Sequence, residues 1–136
     1  PNDIISKKLT NQYFKENIGH GNAIITGFIA SDLHLDYTTT LGRNGSNYTA
    51  ALVANYLNAD IVINYSHIDR IFTADPDLVK KVILIEKLNY EEANELANFG
   101  MNVIHAKTIL SLVELVIPLL LKNTLNLKSK GTLISE

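Results

Sequence analysis

From Ala23 to Ala30 the chain is apolar and β-branched, interrupted by Gly27 and preceded by Gly19 and Gly21. A buried strand entered through a turn has this pattern, so the segment is expected to be a central strand. Leu33, Leu35 and Tyr37 then alternate with His34, Asp36 and Thr38, and this period of two predicts a half-exposed hairpin leading to Thr39, Thr40 and Leu41. The period changes after the glycine-punctuated turn Gly42-Arg43-Asn44-Gly45-Ser46-Asn47. From Tyr48 onward, Leu52, Val53, Tyr56 and Leu57 recur at helical spacing, and Asn58-Ala59-Asp60 ends the helix. Ile61-Val62-Ile63 has the length and β-branching of a buried parallel strand.

Further along, Asn89 stands three residues before Glu92, the spacing of a capping box, and Gly100 closes the helix that follows through Phe99. Met101 to Ile104 is expected to be another short strand, and a helix from about Lys107 to Leu115 gives way at Pro118 to Leu119-Leu120-Leu121. Gly131-Thr132-Leu133-Ile134 adds a last strand-like piece. Strands alternating with helices predict an α/β layered fold.

With 136 residues, 46% of them hydrophobic and 19% charged, the chain has material for one core, hence one domain or one lobe of a domain. Its formal net charge is −2, and its basic clusters are limited to Lys7-Lys8, Lys80-Lys81 and Lys128-Ser129-Lys130. No basic face of the kind nucleic acid requires is present, so nucleic acid is not an expected partner. The absence of cysteine excludes disulfides and thiolate metal sites and permits a cytoplasmic setting. The most apolar run, Ile109 to Leu121, contains Ser111, Glu114 and Pro118 and falls short of the roughly 20 residues of a membrane-spanning helix. The opening Pro1-Asn2-Asp3 reads as a cut inside a longer chain, and Ser135-Glu136 ends as abruptly.

The turn at residues 42–47 carries the clearest chemistry. A glycine-rich turn feeding a helix N-terminus aims free backbone N–H groups at one spot, where an anion is favoured, and Arg43 beside it offers a planar fork of donors. The alternative is a surface turn with a solvated arginine and Ser46 as helix cap. A second polar cluster, Asn64-Tyr65-Ser66-His67-Ile68-Asp69-Arg70, follows the short strand at the end where open α/β sheets bind ligands. His20, His34, His67 and His105 lack metal-ligand spacing, and His105 reads as a hydrogen-bonded structural residue. Asp75-Pro76-Asp77 reads as a turn.

Five motifs in order resemble those of aspartokinases: Thr39-Thr40-Leu41-Gly42-Arg43-Asn44-Gly45-Ser46; Thr73-Ala74-Asp75-Pro76; Tyr90-Glu91-Glu92-Ala93 with Phe99-Gly100; Ile117-Pro118 with Lys122-Asn123-Thr124; and Gly131-Thr132. Each is weak alone, and their order is specific. The resemblance covers nearly the whole chain from Thr26-Gly27-Phe28. It implies the C-terminal lobe of a catalytic domain of the amino-acid kinase fold, a three-layer α/β/α sandwich. The implied reaction transfers the γ-phosphoryl group of ATP, with Mg, to the side-chain carboxylate of L-aspartate, in the first step of lysine, threonine and methionine biosynthesis. Such catalysis is mostly positioning and charge neutralisation.

The resemblance implies substrate-binding roles for Phe28, Arg43 and Ser46. The family's closing aspartate, which pairs with the substrate ammonium, is Asn47 here, a loss of about 1–2 kcal/mol. The nucleotide positions depart further. The usual Thr-Asp pair is Ser66-His67, a glycine beyond it is Arg70, the arginine after Asp-Pro is Asp77, and the phosphate-binding lysine is Asn102. Two cations are gone and one has become an anion, which opposes binding of a polyanion. The family's N-terminal lysine and glycine-rich phosphate loop has no counterpart in these residues, nor have its regulatory ACT domains. The chain alone is therefore expected to be inactive, with the N-terminal half of the domain and further copies of the chain as partners. The alternative is a degenerate kinase-like domain serving as scaffold, allosteric module or subunit interface.

Overall fold

The computed structural model describes residues 3–32, 37–67, 71–74, 78–99 and 104–136. Its centre is a four-stranded mixed sheet. The parallel pair β3 (Val62–Ser66) and β7 (Leu119–Asn123) is extended by β8 (Thr132–Ile134), antiparallel to β7, and by β6 (Lys87–Leu88), parallel to β8. Register places Val62 beside Leu119, Leu119 beside Ile134, and Leu88 beside Ile134, so one row of apolar side chains crosses all four strands on one face. β7 alternates buried and half-buried along its length, as a strand with one covered face must.

That face is covered by α2 (Gly45–Leu57), α3 (Tyr90–Asn98) and α4 (Ala106–Val113). Ala51, Ala54, Ala93, Ile109 and Leu112 meet Leu119, Leu121 and Ile134 in one core. Alanines at the helix contacts let the helix backbones come close to the sheet. On the opposite face Ile63 and Tyr65 are 45% and 51% exposed. The α/β class predicted from the alternation of strands and helices is what the chain forms, with helical cover over one face of the sheet among the described residues.

A short antiparallel pair, β4 (Ile71–Phe72) and β5 (Leu84–Ile85), is tied to the sheet by the buried Thr132. The Ile71 N–H donates to Thr132 Oγ1 at 3.0 Å, and the hydroxyl donates to Ile85 O at 2.6 Å.

The capping box forms as the spacing predicts. The Glu92 N–H donates to Asn89 Oδ1 at 2.8 Å and the Asn89 N–H to Glu92 Oε2 at 2.9 Å, satisfying two otherwise orphaned donors. His105 caps α4, its Nδ1 accepting from the Lys107 N–H at 3.2 Å, which agrees with a structural role. Gly100, and the strand expected at Met101 to Ile104 except Ile104 itself, lie outside the described residues, as does the Asp75-Pro76-Asp77 turn.

Two expectations change. The strand expected from Ala23 to Ala30 is ordered as a strand only at its end, where β1 (Ile29–Ser31) pairs antiparallel with β2 (Thr38–Thr40) in the predicted hairpin. Residues 23–27 form no strand, and Ile24 is fully exposed. An apolar run becomes a central strand only when neighbours on both sides accept its ladder bonds, and the described residues place none there. The second change is α1 (Asp3–Tyr13), which the apolar pattern did not predict and which buries no residue. It is held to α2 by polar contacts instead: Tyr56 Oη donates to Asp3 Oδ1 at 2.8 Å, and Asn11 Nδ2 to Tyr56 O at 2.9 Å. No described helix is long and apolar enough to cross a membrane.

Candidate functional site

The turn before α2 is built from two left-handed residues, Gly42 at φ +79° and Asn44 at φ +59°. Gly42 tolerates this conformation because it has no Cβ, and asparagine is among the side chains that tolerate it best. The Gly45 N–H closes the turn onto Gly42 O at 3.0 Å, and the Tyr48 N–H takes up Asn44 O at 3.1 Å. Asn44 is the residue that caps α2, yet its side chain makes no capping bond. An N-cap normally needs extended backbone to aim its side chain at the first turn, and the left-handed geometry of Asn44 gives that up. The alternative of Ser46 as helix cap therefore does not hold, since Ser46 lies inside the first turn. The helix presents an uncapped, partially positive end to solvent.

Gly27 and Phe28 are packed against this end. A Cβ on Gly27 would stand 2.9 Å from Ser46 Cα, and one on Gly45 would stand 2.8 Å from Phe28 Cδ2. Both glycines are thus required by close approach, and the phenyl ring lies over the first residue of α2. Phe28 itself has φ +75°, a conformation that non-glycine residues rarely adopt. Three hydrogen bonds surround it. Its N–H donates to Thr49 Oγ1 at 3.1 Å, the Thr49 hydroxyl donates to Gly45 O at 2.9 Å, and the Leu41 N–H donates to Phe28 O at 2.9 Å.

The structure therefore gathers four of the residues named from the sequence. Phe28, Arg43, Ser46 and Asn47 all stand at the N-terminal end of α2, with Phe28, Arg43 and Ser46 exposed and Asn47 half-buried. No carboxylate of the described residues pairs with Arg43. An exposed aromatic face, a guanidinium paired with no described carboxylate, an uncapped helix terminus and two short polar side chains have the chemistry that a small anionic, hydrogen-bonding ligand would require.

Ser66 and His67 lie elsewhere, at the carboxyl end of β3. The Thr124 N–H donates to Ser66 O at 2.8 Å, which ties the ends of β3 and β7 together, and Asn123 Oδ1 accepts from the Leu125 N–H at 2.7 Å in the turn that follows β7. Asp77 and Asn102 lie outside the described residues, as does Arg70. Among the described residues no group of three histidine, cysteine or carboxylate side chains is arranged to hold a metal ion. Between residues 23–27 and β3 runs an apolar groove of about 500 Å³, floored by α2 and lined by Ile25, Val53, Ile61 and Ile63 among others.

The sequence reading missed Thr49 and the left-handed Asn44. A threonine inside a helix signals nothing by itself. Its role appears only when the strand end bearing Phe28 is laid across the first turn.

Comparison with known proteins places these features in a family. Residues 3–123 match the sequence profile of the amino acid kinase family. The chain is 43% identical over 121 residues to the bifunctional aspartokinase/homoserine dehydrogenase of Buchnera aphidicola, an alignment covering 88% of this chain and 15% of that protein. It is 38% identical over 117 residues to the lysine-sensitive aspartokinase 3 of Escherichia coli, covering 86% of this chain and 26% of that one. The crystal structure of E. coli aspartokinase III in complex with aspartate and ADP superposes with a TM-score of 0.93 at 34% identity, over 100% of this chain and 30% of that chain. The chain thus spans 15% and 26% of the length of these two curated relatives and 30% of the solved chain.

Proposed function

Because the chain belongs to the amino acid kinase family, we propose that it is the amino-acid-binding part of an aspartokinase, holding L-aspartate for transfer of the ATP γ-phosphoryl group to its side-chain carboxylate. The observation that carries this reading is the convergence of Phe28, Arg43, Ser46 and Asn47 on the uncapped N-terminus of α2. The solved E. coli relative holds aspartate and ADP, which supports the same ligand class here.

In this reading the guanidinium of Arg43 grips one substrate carboxylate through two parallel N–H bonds, and the helix terminus adds its partial positive charge. Ser46 donates a hydroxyl hydrogen bond. Asn47 accepts from the ammonium as a neutral amide. Phe28 packs on the short aliphatic segment and keeps water off one side. Fixing the acceptor oxygen in this way is the part of phosphoryl transfer that positioning supplies.

ATP with magnesium provides the phosphoryl group when bound. The nucleotide side of this chain does not fit a triphosphate by charge: Ser66 and His67 offer a hydroxyl and an imidazole at the end of β3, and positions 77 and 102 carry aspartate and asparagine. On this reading, the cations that neutralise the nucleotide would have to come from outside these residues. The pathway step follows from this assignment and stands with it, and the absence of cysteine is compatible with the cytoplasmic setting proposed alongside.

A second reading is favoured by the apolar groove and by the outer edge of β3, which no described strand pairs with. There the chain is a kinase-like module that retains its amino-acid site, and its sheet is completed by strands from another part of the same protein. Exposed Ile61, Ile63 and Ile25, beside an edge left unpaired among the described residues, are what such a complement would cover.

Calorimetric titration of the intact parent protein with L-aspartate, and separately with Mg-ATP, separates these readings. Binding of both supports the aspartokinase. Aspartate binding without ATP binding supports the second reading, and the absence of aspartate binding overturns the assignment of the α2 site.

A further inference from the structure

We infer that Thr49 is a positioning residue for the amino-acid site, its hydroxyl holding Phe28 in the left-handed backbone that sets the phenyl ring over the N-terminus of α2. The inference rests on the reading that Phe28 contacts an amino-acid substrate.

The bonding around Thr49 has a defined direction. Its hydroxyl proton goes to Gly45 O at 2.9 Å, which leaves an oxygen lone pair to accept the Phe28 N–H at 3.1 Å. Bonding from a threonine hydroxyl back to the carbonyl four residues earlier is common in helices. Here the same oxygen also takes a donor from a residue 21 positions away, on the end of another segment. That second bond has no function within the helix. It falls on a residue whose φ of +75° a phenylalanine does not keep unless its surroundings impose it.

Two further contacts point to the same role. Leu41 anchors the carbonyl side of Phe28, its N–H donating to Phe28 O at 2.9 Å, so the peptide groups on both sides of the Cα are held. The ring rests where any Cβ on Gly45 would collide with it, at 2.8 Å from Cδ2. Rotation of φ to the ordinary negative region would swing the ring off Gly45. Thr49 and Leu41 restrain the backbone, and Gly45 makes room for the ring. Of these, the hydroxyl of Thr49 can be removed with the least change of shape, because valine is nearly isosteric with threonine.

The test uses the intact parent protein with Thr49→Val, Thr49→Ser and Phe28→Ala, and the double variant Phe28→Ala/Thr49→Val. Binding of L-aspartate is read by calorimetry and folding by circular dichroism. Thr49→Val is expected to weaken L-aspartate about 10-fold, the loss typical of one hydrogen bond's worth of positioning. Thr49→Ser, which keeps the hydroxyl, is expected to stay within about 2-fold of the parent. On the Phe28→Ala background, Thr49→Val is expected to cost little more, because no ring is left to position. Equal losses for the serine and valine variants, or a full additional loss in the double variant, overturn the inference. Amide hydrogen exchange at Phe28 gives a readout that needs no ligand. It is expected to quicken in Thr49→Val and not in Thr49→Ser, and an unchanged rate in the valine variant overturns the inference even if the wild type binds no L-aspartate. Failure of wild-type binding alone instead removes the amino-acid reading.

Discussion

Thr132 shows how much one side chain can carry. Its side chain is buried, and its hydroxyl joins β4 and β5 to β8 of the main sheet through bonds to the Ile71 N–H and Ile85 O. Thr132→Val keeps the shape and leaves both backbone groups without that partner, so a loss of about 1–3 kcal/mol in urea unfolding is expected. A loss under about 0.5 kcal/mol would show that water replaces the hydroxyl. Tyr56 makes a prediction in pH. Burial first, and then its hydrogen bond to Asp3, push its hydroxyl above the ordinary tyrosine range. The folded state therefore holds the phenolic proton more tightly than the unfolded chain does. The corresponding stability is fully present below pH ~10 and is lost as pH rises above it. Tyr56→Phe is expected to lose about 1 kcal/mol at neutral pH and to flatten the decline of stability above pH ~10, measured by denaturant titration across pH 8–11. Neither residue's role was legible in advance, because each depends on a partner more than 40 positions away.

At the scale of elements, local signals were read well and packing signals were not. The Asn89-to-Glu92 spacing predicted the start of α3 because a capping box is satisfied within four residues. Asn89→Ala is expected to cost about 1 kcal/mol, and Asn89→Asp to be nearly neutral, by thermal unfolding. Helix α2 begins at Gly45 rather than Tyr48, since apolar periodicity marks where a helix touches the core and not where its backbone first turns. Helix α1 was missed for the same reason, having no buried face to give it a period. Gly131 closes the approach to β8 at φ +81°, and a Cβ there would run into Leu121 O. Gly131→Ala is expected to destabilise the sheet by more than about 2 kcal/mol, with a matching fall in the melting temperature.

For the whole molecule, the outer edge of β3 and the groove beside it dominate. Ile24, Ile25, Ile61 and Ile63 are all exposed, and the last three line the groove beside β3, the kind of apolar surface that marks an interaction site. The 136-residue chain by itself is expected to associate with rising concentration and to bind a hydrophobic dye, and Ile63→Lys is expected to reduce both several-fold. A monomeric, dye-silent chain at high concentration would rule out the idea that this edge needs a complement.

Some of the protein was determined by its sequence alone. The α/β class, the capping box and the hairpin before residue 41 rest on periodicity and turn chemistry, both of them local, while Phe28, Arg43, Ser46 and Asn47 were singled out together by the resemblance of short motifs to a family. Only the tertiary structure decided that residues 23–27 form no strand here, since strand order depends on neighbours and not on composition. It also decided that Asn44 leaves α2 uncapped and that Thr49 reaches back to Phe28. Those outcomes come from backbone angles and contacts between distant segments, which no local pattern records.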